Sequence, residues 1–86
     1  MSILESIYRL EETQMDYQIT RLHGYTDGVL WIVALNGRNT GNGATLAAAA
    51  DQALMFYAHD LLQHPDWVDD QRRQWLLNYQ TRMTGI

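Results

Sequence analysis

The chain has 86 residues, room for one hydrophobic core and not two. Apolar residues make up 47% and charged residues 19%, which excludes a disordered tail, and the lack of cysteine argues against a disulfide-built secreted scaffold. The net charge is −4, and every basic side chain is an arginine, six against ten carboxylates, a weak balance for binding nucleic acid through its phosphates.

The opening Met1-Ser2-Ile3-Leu4-Glu5 has neither the basic region nor the apolar run of a signal peptide. No stretch approaches the roughly 18 apolar residues of a membrane span, so the expected location is cytoplasmic. Ser2 and Glu5 have capping-box spacing, and Ile3, Leu4, Ile7, Tyr8 and Leu10 recur at helical intervals, which predicts a first helix over about residues 3–13. Met15, Tyr17 and Ile19 alternate with Asp16, Gln18 and Thr20, the period of a half-buried strand. The stretch from His23 to Gly28 reads as a turn, with Asp27-Gly28 favouring positive φ. Val29–Leu35, VLWIVAL, is apolar and β-branched enough to be the central strand. Asn36-Gly37 is a two-residue hairpin signal, and Arg38 to Asn42 is expected to return as a third, short strand.

Thr45 is placed to cap the next helix. Its apolar face would carry Leu46, Ala49, Ala50, Ala53, Leu54, Tyr57 and Leu61, with the alanines permitting close approach to a sheet. Pro65 suits the first turn of a last helix, whose inward side is expected to hold Val68, Arg72, Trp75, Leu76, Tyr79 and Met83, with Gly85 as its stop. The order helix, three antiparallel strands, helix, extra helix predicts a single α+β domain over residues 1–86, its three-stranded antiparallel sheet covered by helices on one face.

Three stretches invite a functional reading. The run Asn36-Gly37-Arg38-Asn39-Thr40-Gly41-Asn42-Gly43 leads into a helix N-terminus, as an anion or small-ligand loop would, but it lacks the Gly-Lys-Ser/Thr ending of a phosphate loop. A tight hairpin with a bulge needing positive φ explains the same residues. His23, His59 and His64 lack metal-ligand spacing, so neither metal nor cofactor is expected. Asp60, Asp66, Asp69 and Asp70 surround the junction before the last helix, where carboxylates either favour the helix start or meet a basic partner. Trp67 stands among them, either as an exposed anchor or packed beneath the last helix.

The stretch from Val29 to Leu54 resembles the double-stranded-RNA-binding domain. A strand runs into Asn36-Gly37-Arg38, then Gly41-Asn42-Gly43-Ala44-Thr45, then an alanine-rich helix with Ala49, Ala53 and Leu54, and His23 occupies the first hairpin turn. The resemblance implies the helix–three strands–helix order and an RNA surface using Arg21, His23 and Arg38. The family's phosphate-contacting lysines correspond here to Leu46, Ala47 and Ala50, so strong duplex binding is not expected to carry over. In its shortness and acidity the chain is also similar to small phage-borne anti-CRISPR proteins. The expected function is therefore a non-enzymatic protein-binding module, an inhibitor of a host nucleic-acid-handling complex. Asp66, Trp67, Asp69 and Asp70 would meet a basic partner surface. A weak RNA-binding module and a ligand binder at the Gly/Asn loop are the alternatives.

Overall fold

A computed structural model describes residues 3–23 and 28–84. Ser2 of the expected capping box, the turn residues 24–27 and the Gly85 stop lie outside the described residues. The chain forms helix α1 (Ile3–Glu11), strands β1 (Tyr17–His23), β2 (Val29–Leu35) and β3 (Asn39–Gly43), helix α2 (Leu46–Gln63), a 3-10 turn (Pro65–Trp67) and helix α3 (Asp70–Thr84). This is an α+β fold in which the sheet order is β1-β2-β3, both pairings antiparallel.

Helix α1 ends earlier than the periodicity suggests. The Thr13 hydroxyl donates to the Leu10 carbonyl at 2.6 Å and accepts from the Met15 amide at 3.2 Å, and Gln14 takes a positive φ of 57°. Met15 is thereby held in the turn, and β1 starts at Tyr17. The register pairs Tyr17 with Leu35, Ile19 with Val33 and Arg21 with Trp31 on the face toward the helices. The opposite face carries Gln18, Thr20, Leu22, Leu30, Ile32 and Ala34, together with Thr40 and Asn42 of β3.

The β2–β3 connection is a three-residue turn, since Leu35 pairs with Asn39. Asn36 and Gly37 adopt φ of 56° and 66°, as the Asn-Gly pair anticipates. Arg38 is the added residue. It belongs to the turn and not, as expected, to the returning strand, which frees its side chain to leave the sheet. Gly41 and Gly43 have no positive φ; they are small because α2 lies directly on β3. A Cβ on Gly41 would stand 2.3 Å from the Ala49 carbonyl oxygen and 2.5 Å from the Ala53 nitrogen, and one on Gly43 would stand 2.8 Å from the Ala48 Cβ. On the outer side of β3, the Asn42 amide donates to the Gln52 side-chain oxygen at 2.8 Å.

The core joins Leu10 of α1, Val33 and Leu35 of β2, the alanine–leucine face of α2, and Trp75 and Leu76 of α3. Thr45 caps α2 by accepting from the Ala48 amide. Pro65 opens the separate 3-10 turn, not α3; the cap of α3 is Asp69, whose carboxylate accepts from the Arg72 amide at 2.8 Å. Met83 is 62% exposed and so leaves the inward side assigned to it, while Ile3, Leu4 and Tyr8 of α1 also face outward.

Candidate functional site

Helix α2 runs antiparallel to β3 and therefore ends beside the turn that begins β3. Five segments converge at this end of the domain: the Met15 bend, the Asn36–Arg38 turn, the last turns of α2, the 3-10 turn and the start of α3. Between them lies a cavity of about 300 Å³, lined by Met15, Asn36, Arg38, Asn39, Tyr57, Asp60, Leu61, Trp67 and Arg72. The hairpin and the acidic junction, separate stretches in sequence, are thus two walls of one site.

Trp67 is 40% exposed and is not buried beneath α3. Its ring stacks on His64 with centroids 3.9 Å apart, and the Arg38 guanidinium lies 4.8 Å from the ring centroid. Arg38 also donates through Nε to Asp60 at 3.0 Å. These contacts fix the indole in one pose while leaving part of it in solvent.

The expected acidic patch is less bare than its sequence suggests. Asp69 pairs with Arg72 at 2.6 Å, Asp70 with Arg73 at 3.4 Å, and Asp60 with Arg38. The Arg72 backbone amide, above all, holds the Asp69 carboxyl below the usual carboxylate range; desolvation opposes it, and the Arg72 guanidinium and the Gln71 amide add smaller pulls downward. Asp66 is exposed beside them. Among the described residues, no group of three His, Cys, Asp or Glu side chains is placed to hold a metal ion.

Inside the cavity the donors outnumber their acceptors. Tyr57 is 4% exposed, its ring packs at 4.8 Å from Trp75, and its hydroxyl has no hydrogen-bond partner among the described residues. Burial pushes its phenol up, while Arg72, close enough to act on the phenol oxygen both through its charge and as a side-chain donor, pulls the other way; the hydroxyl stays protonated in the neutral range. Arg72 gives Nη1 to Asp69, but among the described residues its Nη2 finds only the Met15 sulfur at 3.7 Å, a weak acceptor. Arg72, the odd member of an otherwise apolar helix face, and the run over residues 36–43, read as a candidate ligand loop, were the sequence signals for this cavity. Tyr57 gave none, because an aromatic at helical spacing reads as core.

The residues of the RNA alternative are not gathered. His23 pairs with Val29 at one end of the sheet and Arg38 stands beyond Leu35 at the other, about 20 Å of strand away. Arg21 lies on the helix-facing side, its guanidinium 5.5 Å from the Trp31 ring centroid. Leu46 and Ala50, the counterparts of phosphate-contacting lysines, are core residues and offer no surface. No family model, no curated protein and no solved structure matches this chain.

Proposed function

We propose that the domain is a non-enzymatic protein-binding module, in its most concrete form a small phage or mobile-element inhibitor that occupies a basic surface of a host nucleic-acid-handling complex. The observation that carries the reading is Trp67: a large aromatic, partly exposed and already held by His64 and Arg38, so that little side-chain entropy is lost on docking. Asp66 beside it and the net charge of −4 favour approach to a positive surface. The pairing of Asp69 and Asp70 with their own arginines supports a rim role for these carboxylates, with Trp67 as the main anchor.

The test is affinity capture from lysate of a candidate host, followed by measured binding of the captured protein. Trp67→Ala is expected to weaken that complex by about 2 kcal/mol or more, roughly 30-fold, while Asp66→Asn chiefly slows association. Melting curves of the free variants accompany the affinities. A Trp67→Ala variant that melts and binds like the parent would move the partner surface elsewhere.

A further inference from the structure

We infer that the cavity behind the Asn36–Arg38 turn is a carboxylate-binding site, in which Arg38, Arg72 and the Tyr57 hydroxyl donate to one acceptor group. Three observations converge on it. The Tyr57 hydroxyl is enclosed and unsatisfied, and a buried polar group left without a partner is costly unless something else occupies the site. Asn39, 7% exposed, lines the same space and brings a polar carboxamide to it. The two guanidiniums retain donors: among the described residues Arg38 spends Nε on Asp60 and makes no hydrogen bond through its terminal nitrogens, and Arg72, with Nη1 on Asp69, meets through Nη2 only the Met15 sulfur. Terminal guanidinium nitrogens are the fork that matches a carboxylate.

The charge balance selects among anions. Each of the two lining arginines is paired with a carboxylate, Arg38 with Asp60 and Arg72 with Asp69, so the site carries no net charge of its own. A singly charged, planar group needs only the guanidinium N–H donors that these pairs leave over, whereas a phosphate would bring more charge against Asp60 and Asp69. The remaining wall is apolar: Leu61, Met15 and the Trp67 ring. A cavity of about 300 Å³ takes a carboxylate on a short aromatic or aliphatic body, not a nucleotide. Either a free small acid or the C-terminal carboxylate of a peptide supplies this chemistry. The site stands independently of the proposed protein partner, since a carboxylate would bind there even if Trp67→Ala left that complex unchanged.

The experiment titrates the full chain and follows the Trp67 indole N–H and the arginine Nε–H signals by nitrogen-edited NMR. The probes are benzoate, its uncharged isostere benzamide, inorganic phosphate, and an acetylated dipeptide ending in phenylalanine as free acid and as amide. Saturable shifts with benzoate but not benzamide are expected. Tyr57→Phe should weaken binding about tenfold without lowering the melting temperature, because it removes only an unsatisfied hydroxyl. Arg38→Gln should weaken it at least as much. Tighter binding of the peptide acid than of benzoate identifies a chain terminus as the source; the reverse identifies a small acid. No saturable shift with either carboxylate on the folded protein would mean that water alone fills the cavity, and would overturn the inference. Equal responses to benzamide or phosphate, or affinity indifferent to both substitutions, would overturn it as well.

Discussion

Two glycines of one hairpin are there for different reasons. Gly37 sits at φ 66° with open space where a Cβ would go, so its constraint is conformational; Gly41 has ordinary backbone angles but α2 backbone atoms within 2.5 Å of a built Cβ. Gly37→Asn should therefore be near neutral, since Asn tolerates the left-handed region, whereas Gly37→Ala should cost about 1 kcal/mol. Gly41→Ala should cost roughly 1–3 kcal/mol or more, because the obstacle is backbone and cannot step aside, and Gly41→Asn should be worse still. Urea unfolding of the four variants separates the two causes. The sequence marks both positions as glycine without distinguishing them, because the helix that crowds Gly41 is brought there only by the tertiary fold. Arg38 shows the same limit: the Asn36-Gly37 turn is legible, but the extra turn residue that sends Arg38 to Trp67 and Asp60 depends on register.

Elements whose boundaries rest on local chemistry were readable. Val29–Leu35 is a strand because a β-branched apolar run suits the centre of a sheet, and α2 starts after Thr45 because a hydroxyl there meets a free amide. Thr45→Ala should cost about 1 kcal/mol in thermal or urea unfolding. The junction Pro65–Asp69 was misread because proline at a first turn fits a 3-10 turn as well as an α-helix, and the competing signal, Asp69 as cap, lies four residues on. Asp69 also gives the fold an acid limb. Its folded-state pKa lies below its unfolded value, so its contribution is present above the unfolded value and is lost as pH falls through the folded one. Asp69→Asn should lower the melting temperature at neutral pH, and the gap from the parent should shrink as the solution is acidified below the ordinary carboxylate range. A gap that is constant with pH would remove the carboxylate from the cap.

At the scale of the molecule, five of the six arginines are committed to carboxylates among the described residues: Arg9 to Asp51, Arg38 to Asp60, Arg72 to Asp69, Arg73 to Asp70 and Arg82 to Glu12. Arg21 lies over Trp31 instead. Phosphate contacts would have to be made at the expense of these pairs, so duplex RNA should bind no tighter than the millimolar range near physiological salt. A salt-titrated mobility shift checks this, and micromolar binding lost on Arg38→Ala would restore the RNA reading. The composition foretold this poverty of free positive charge; the cavity was not foretold, because its walls come from five segments that meet only in three dimensions. The exposed edges of the sheet differ in a way that bears on self-assembly. An incoming strand that sought the outer edge of β3 would find the Asn42 amide already occupied by Gln52 and would have to displace that side chain before zipping on. The helix that packs the core thus also serves as a chaperone to its neighbouring edge, biasing any strand-swapped polymer of this domain toward β1.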